Sequence, residues 1–410
     1  MITKKLIAPQ SFFDVEISLP TSKSICNRAL IINALCGGDF SCIENISSSD
    51  DTEVLFRALS EPCKDVVDIG AAGTAMRFLT AYFAQKKGSN VILTGSKRMK
   101  ERPIATLVEA LRELGADIFY VEKDGFPPLR IVGKELKGGR IKLSANVSSQ
   151  YISALMMIAP AMTNGLEILL EGEIISQPYI EMTQKIMEFF GAKVSFGDQE
   201  LKILKSFYKP TLFSVETDWS AASYWYSILL AQKGGEFFLS GLEKESLQGD
   251  RAVCDIFAKL GVETQFVEQG ARLFYSPKSI KMLEYNFVNQ PDLAQTVVVA
   301  CCLENIHFCF SGLQSLKIKE TNRILALQNE MKKVGYVLEE PKDGMLCWNG
   351  KTCEAEQVPL IKTYSDHRMA MAFAPVAIKF PFIEVENPEV VTKSYPTFWT
   401  DLQKVGFCLE

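Results

Sequence analysis

Lys23, Ser24 and Arg28 stand together in LPTSKSICNRALI, at the mouth of a stretch that reads as a helix. Ser24 and Arg28 are four apart and share a helix face. Lys23 falls where free backbone N–H groups collect, which is an anion-binding place. No carboxylate lies in the stretch to pair with either cation. Their partner therefore comes from elsewhere in the chain or from a ligand. The chemistry this suggests is the holding of an anion.

Other stretches repeat the theme. SANVSSQYISALMMIAP gathers Ser148, Ser149 and Gln150 before an apolar helix, a neutral cradle of hydroxyl, amide and N–H groups. A simple helix cap needs only one serine. IISQPYIEMT places Ser176 shortly before Pro178, and MKERPIATL places Arg102 before Pro103, a good first helical residue. An arginine there presents a rigid fork to phosphate or carboxylate. GAAGTAMRFL is neither a Walker A loop nor G-x-G-x-x-G, but Gly73 lets a ligand approach the backbone closely ahead of Thr74 and Arg77.

The second half supplies carboxylates as well as cations. QPDLAQTVVVA enters an apolar helix at Asp292. LKIKETNRILAL packs Lys319, Glu320 and Arg323 together, with Lys319 and Arg323 four apart and expected on one helix face. YSDHRMAMAFAP sets Asp366, His367 and Arg368 at another helix start, and VTKSYPTFW holds Lys393 before Pro396. A lone charge cluster is usually a solvated face. Here each stands at the polar start of a buried-looking segment, where ligand sites form in α/β proteins.

A repeat positions these clusters. LVEALRELGADIFYVEKDG reads as an amphipathic helix closed by Gly115, then a strand, then an acidic turn. The pattern returns at Gly191, Gly261, Gly335 and Gly406, roughly seventy residues apart each time. Glycine after a helix tolerates the left-handed turn a side chain resists. A second strand follows, as in LRIVGK, LKILKS or RLFYSPK. Units of this size are small subdomains, and 410 residues hold about six of them, which suggests two domains of three.

Composition narrows the function. The formal net charge of −5 gives no global reason to bind nucleic acid or an anionic membrane. ISALMMIAPAM is too short to span a bilayer, and no signal peptide is visible. The eleven cysteines show no C-x-x-C pair and read as reduced, mostly core thiols of a cytoplasmic protein. The two histidines, His307 and His367, lack neighbours at metal-ligand spacing, so no metal is expected.

Taken together, LPTSKSICNRAL, GAAGTAMR, KERPI, SSQYISALMM, SQPYIEMT, IKETNR, SDHRMAM and VTKSYPTFW strongly resemble the 5-enolpyruvylshikimate-3-phosphate synthase family of enolpyruvyl transferases, in order, from Leu19 to Trp399. The resemblance implies a two-domain inside-out α/β barrel of six βαβαββ units. Residues 1–20 plus 219–410 would form domain I and 21–218 domain II, with the active site in the interdomain cleft. It implies a transfer of the enolpyruvyl group of phosphoenolpyruvate to the 5-hydroxyl of shikimate 3-phosphate, releasing phosphate, in chorismate and aromatic amino acid biosynthesis. No cofactor, nucleic acid or membrane partner is implied, and a monomeric, stand-alone, cytoplasmic enzyme is expected.

Carried over by motif, Lys23, Ser24, Arg28, Ser148, Ser149, Gln150, Ser176, Asp292 and Lys319 would hold shikimate 3-phosphate. Lys23, Gly73, Arg102, Gln150, Arg323, Arg368 and Lys393 would hold phosphoenolpyruvate. Asp292 is the expected base for the 5-hydroxyl, Glu320 the proton donor to C3, and Lys23 the group near the leaving phosphate. Without ligand the clustered cations are expected to repel one another across the cleft; with both anions bound, the domains can close.

The chain departs from the family pattern at several places. Ala71 stands where Asn is usual, Phe78 for a frequent Pro, Thr21 for Gly, Asn322 for Asp, and Ser315 and Ser365 for Asn. None removes a charged group, but they bear on affinity and on sensitivity to the family inhibitor glyphosate. The sister family, UDP-N-acetylglucosamine enolpyruvyl transferase, usually carries a reactive cysteine in its first-half domain, and this chain has none between Cys63 and Cys254. A non-catalytic anion-binding homologue would be expected to lose Lys23, Asp292 or Glu320, and all three are present.

Overall fold

The computed structural model describes residues 2–10, 14–61, 65–146 and 148–410. The chain divides into two compact units, Met1–Pro20 with Glu216–Glu410, and Thr21–Val215. The second crossing thus falls at Val215–Glu216, ahead of the expected Asp218–Trp219. Hydrogen bonds explain the earlier boundary. The Asp218 N–H donates to the Pro20 carbonyl (2.9 Å), and the Gln248 side-chain amide donates to Glu216 (3.0 Å) and to the Thr217 carbonyl (2.8 Å). The segment 216–218 is therefore bonded to the unit it enters.

The repeat is plainest in the Thr21–Val215 unit. Strand Val66–Asp68, helix Gly73–Gln85, strand Asn90–Thr94, helix Ala105–Glu113 and strands Asp117–Tyr120 and Leu129–Val132 form one copy. The first two strands are parallel, which requires the intervening crossover helix. The last strand pairs antiparallel with the second, and the third lies outside it. Residues 139–204 repeat this order with the same pairing. A reduced copy joins Ile43–Glu44 to the parallel strand Phe213–Ser214.

The other unit holds three further copies, and the N-terminal segment completes two of them. Strand Val15–Ser18 pairs parallel with Glu236–Ser240 as the first strand of one copy. Strand Thr3–Ile7 pairs antiparallel with Ile383–Glu386 and Cys408–Leu409, as the last strand of another. The middle copy has strands Met282–Asn286, His307–Ser311 and Leu346–Trp348, with isolated bridges where the outermost strand would lie. All five recurring glycines follow helices and take positive φ, between +92° at Gly191 and +113° at Gly261.

Burial follows from the residue pattern. Helices Ala294–Leu303 and Trp219–Gln232 are apolar nearly all round and are enclosed in their unit. Strands such as Gly139–Ser144 and Glu200–Leu204 alternate buried and exposed side chains, so each sheet covers helices with one face and meets solvent with the other. Among the described residues no helix is long and apolar enough to cross a membrane.

One cysteine expectation is corrected. Cys309 and Cys347 are direct cross-strand partners, with Cα atoms 4.2 Å apart, and are joined as a disulfide. Strand register brings them together across 38 residues, which no spacing motif signals. Cys26, Cys254, Cys301 and Cys302 are free and buried as expected; Cys63 lies outside the described residues.

Two glycine substitutions test the turn geometry. No atom of the described residues lies within 4 Å of where a Gly115 side chain would begin, so Gly115→Ala meets only the backbone cost of φ +102°. Equilibrium urea unfolding should show a loss of about 1 kcal/mol. Gly138→Ala, which would run into the Gly165 carbonyl, should lose clearly more.

Candidate active site

In the Thr21–Val215 unit the expected residues gather at helix N-termini. Lys23 opens the helix Lys23–Leu35, and Ser22 before it makes no side-chain capping bond. The Lys23 ammonium meets Asp51 at 2.9 Å. Asp51, in the first turn of the helix Asp50–Ser60, is the acidic partner missing from the lysine's own stretch. Its place in SSDDTE, a cap followed by acidic residues, marks a helix start but not a lysine partner.

Arg28 is buried, and its hydrogen-bond partners among the described residues are neutral. Its Nε donates to the Thr183 hydroxyl (2.7 Å), Nη1 to the Ser24 carbonyl (2.7 Å) and Nη2 to the Ser153 hydroxyl (3.1 Å). The Phe78 and Tyr179 rings face its guanidinium at 5.3 and 5.9 Å. Burial pulls its pKa down to about 10, which leaves it charged at neutral pH. Phe78, a departure from the family pattern, thus serves as a wall for this cation.

Gly73 begins the helix Gly73–Gln85, and the group that approaches it closely is the Arg102 side chain. A Cβ at Gly73 would stand 2.7 Å from Arg102 Nη1. Gln150 Nε2 donates to the Thr74 hydroxyl at 3.0 Å, while the Ser148 hydroxyl accepts from the Gln150 N–H as the cap of the helix Ser149–Ile158. The Tyr151 hydroxyl donates to the Pro103 carbonyl at 2.6 Å, fixing that helix beside Arg102. Ser176 takes φ +58° before the helix Gln177–Phe189, and the Ile175 N–H bonds the Ala145 carbonyl. Lys23, Ser24, Arg28, Gly73, Arg102, Ser148, Ser149, Gln150 and Ser176 therefore occupy linked helix starts and the Arg102 loop.

The second unit gathers the remainder around Arg323, the first residue of the helix Arg323–Lys333. Asn322 caps this helix by accepting from the Leu325 N–H, as the usual aspartate would. The Arg323 guanidinium donates to Asp366 (2.6 and 3.3 Å), Asp292 (2.9 Å) and Glu320 (3.1 Å). Burial opposes its charge, but these three carboxylates outweigh burial and hold it firmly protonated. Arg368 Nη2 meets Asp292 at 2.9 Å, Lys319 lies 3.8 Å from Asp292, and Lys393 lies 2.7 Å from Glu320. Asp366 also caps the helix His367–Ala372 through the Arg368 N–H.

One expectation changes here. Lys319 and Arg323 do not share a helix face, because Lys319 is extended and the helix begins only at Arg323; they converge on Asp292 from different backbone states. Within this unit, carboxylates of the chain stand between the cations. Burial raises the cost of charge on Asp292, yet Arg368, Lys319 and Arg323 overcome it and hold its carboxyl well below the usual range.

Sequence reading missed Asp250, which packs beside this group. Its Oδ2 accepts from the Ser220 hydroxyl, and Ser220 Oγ accepts from Arg368 Nη2 at 3.4 Å. A lone Asp in SLQGDRAV carries no motif that marks it. Burial, then the Asp292 charge, pushes Asp250 up to about 7. An unfolded chain releases this proton near the ordinary carboxylate range, so the folded state loses stability as pH rises from there through about 7. Asp250→Asn removes that titration. Its melting temperature relative to the parent should therefore rise between about pH 5 and about pH 8, by the equivalent of on the order of 2 kcal/mol. A pH-independent difference would clear Asp250 of this role.

Comparison with known proteins gives the family and the fold. The family profile for EPSP synthase (3-phosphoshikimate 1-carboxyvinyltransferase) matches residues 55–402. A 3-phosphoshikimate 1-carboxyvinyltransferase of Bacteroides fragilis (strain YCH46) is 53% identical over 406 residues, covering 99% of this chain and 98% of that one. One from Haemophilus influenzae (strain PittGG) is 34% identical over 444 residues, covering 99% of each. A solved EPSP synthase from Acinetobacter baumannii has the same fold, with a TM-score of 0.78 at 18% identity, over 100% of this chain and 99% of that one. The enolpyruvyl transferase NikO from Streptomyces tendae shares it at 0.70 and 13%, over 100% and 98%. The family profile and these full-length relatives place the chain in the EPSP synthase (3-phosphoshikimate 1-carboxyvinyltransferase) family.

Proposed function

We propose that the two residue sets act on one pair of anionic substrates, in the reaction of this family. The enolpyruvyl group of phosphoenolpyruvate passes to the 5-hydroxyl of shikimate 3-phosphate, and phosphate leaves. Lys23, Ser24, Arg28, Ser148, Ser149, Gln150, Ser176, Asp292 and Lys319 bind shikimate 3-phosphate. Lys23, Gly73, Arg102, Gln150, Arg323, Arg368 and Lys393 bind phosphoenolpyruvate. We take the enzyme to work as a cytoplasmic monomer.

The observation that carries this reading is the sharing of cations by Asp292 and Glu320. Asp292 faces Arg323, Arg368 and Lys319, while Glu320 faces Arg323 and Lys393. Clamped in this way, Asp292 is a poor base. An incoming carboxylate and phosphate compete for the same guanidinium and ammonium groups. As those cations turn to the substrate, Asp292 regains basicity and Glu320 becomes able to carry a proton.

The steps then balance. Asp292 takes the proton of the 5-hydroxyl as its oxygen bonds to C2 of phosphoenolpyruvate. The C2–C3 π electrons take a proton at C3 from Glu320, giving a tetrahedral intermediate. Glu320, left as a carboxylate, takes a proton back from C3 as the double bond reforms and the C2–O bond to phosphate breaks, with Lys23 beside the departing group and the proton held by Asp292 passing to the leaving phosphate. Lys23 is steadied by Asp51 in this role.

The direct test follows phosphate release from phosphoenolpyruvate with shikimate 3-phosphate, against a parallel reaction with UDP-N-acetylglucosamine. Release is expected only with the first acceptor. Asp292→Ala and Glu320→Ala should each lose roughly 100-fold or more in turnover while still binding substrates. Near-normal turnover would remove that residue from the mechanism. Gly73→Ala pushes the Arg102 guanidinium aside. It should raise the KM for phosphoenolpyruvate several-fold, roughly the loss of one charge-assisted hydrogen bond, with little change in melting temperature.

A further inference from the structure

The segment that delivers Asp366 and Arg368 bends in an unusual way. Tyr364 and Ser365 both lie in the left-handed region, at φ +54° and +55°. Neither is glycine, and two such residues in succession carry backbone strain of roughly 1–2 kcal/mol each. The Asp366 N–H closes the turn on the Thr363 carbonyl at 2.8 Å. Asn tolerates this conformation better than most side chains.

Glu330 holds this turn from outside the site. It is fully buried, on the same helix that begins with Arg323. Its Oε1 accepts from the Tyr364 hydroxyl at 2.6 Å. Its Oε2 accepts from the Lys362 N–H at 2.9 Å and from the Lys333 ammonium at 2.6 Å. Lys333 also donates to the Leu360 carbonyl at 2.6 Å. The helix thus grips the segment 360–366 at two places, Arg323 on Asp366 and Glu330 with Lys333 on the residues just before it.

We propose that Glu330, acting through Tyr364, is a positioning residue for phosphoenolpyruvate binding, because it pins the left-handed turn that aims Asp366 and Arg368. This rests on the reading of Arg368 as a phosphoenolpyruvate ligand. Glu330 touches no reacting atom; its effect passes through backbone direction. Asp366 in turn caps the helix carrying Arg368 and takes the Arg323 fork, so a small rotation of the turn moves both arginines that the substrate must meet.

The test compares the full-length wild type with Tyr364→Phe, Ser365→Asn, the double variant and Arg368→Lys. Tyr364→Phe removes the hydroxyl from Glu330 and keeps the ring, which avoids the folding risk of emptying a buried carboxylate. It should raise the KM for phosphoenolpyruvate roughly 10-fold, as one charge-assisted hydrogen bond is lost, with kcat and the KM for shikimate 3-phosphate within about 2-fold. Adding Ser365→Asn should bring that KM back to within about 2-fold, because Asn favours the turn without the Glu330 bond. A lowered melting temperature with both KM values unchanged would make Glu330 purely structural and overturn the proposal. A raised KM that Ser365→Asn leaves unrepaired would overturn the turn as its route. If Arg368→Lys leaves the KM for phosphoenolpyruvate unchanged, the site assignment itself fails. If Arg368→Lys raises that KM and Tyr364→Phe does not, only the present inference fails.

Discussion

A guanidinium surrounded by three carboxylates organises the Met1–Pro20 and Glu216–Glu410 unit. Arg323 is almost wholly buried, and its charge survives there because Asp292, Glu320 and Asp366 receive it. Removing one partner from such a group leaves uncompensated charge, which is far costlier than losing a surface ion pair. Asp292, from a short helical turn, Glu320, from the loop before the arginine's helix, and Asp366, at the cap of another helix, must all arrive at one point. In the proposed mechanism an anionic ligand enters by exchange, taking cations from carboxylates that then become available for proton transfer.

The Thr21–Val215 unit solves a different electrostatic problem. Arg28 has hydroxyls, carbonyls and two aromatic rings around it, but no carboxylate among its hydrogen-bond partners in the described residues. Such a surrounding keeps a cation in place without neutralising it. Ser148, Ser149, Gln150 and Ser176 add neutral donors at neighbouring helix starts. A phosphate binds most readily where positive charge and N–H groups are both held ready. The Thr21–Val215 unit therefore offers Arg28 with neutral supports beside the Lys23–Asp51 pair, and the other unit offers cations already engaged with bases.

Repetition makes both arrangements possible. In each full copy a helix runs between two parallel strands, so its N-terminus follows directly from a sheet strand. Stacking copies brings several such helix starts together within a unit. The polar clusters at Gly73 and Ser148 are instances of this rule, each following the first strand of a parallel pair. The N-terminal segment completes two copies in the unit it shares with Glu216–Glu410, which ties the first residues of the chain to its last.

The amino-acid sequence alone determined the local grammar of the protein. Recurring glycines mark helix ends because a left-handed turn follows each, apolar helices mark the core, and polar residues at their starts mark the candidate site. Those features depend on periodicity and on backbone preferences within a few residues. The tertiary structure alone decided which charge meets which. Lys23 finds Asp51 across 28 residues, Arg323 finds Asp366 across 43, and Glu320 finds Lys393 across 73. Asp250 and Glu330 were invisible as functional neighbours for the same reason, and Cys309 met Cys347 only through strand register. Helical spacing reaches one turn, whereas ion pairing is set by how elements stack, and in this chain the stacking of repeats carries residues far apart in sequence to a common point.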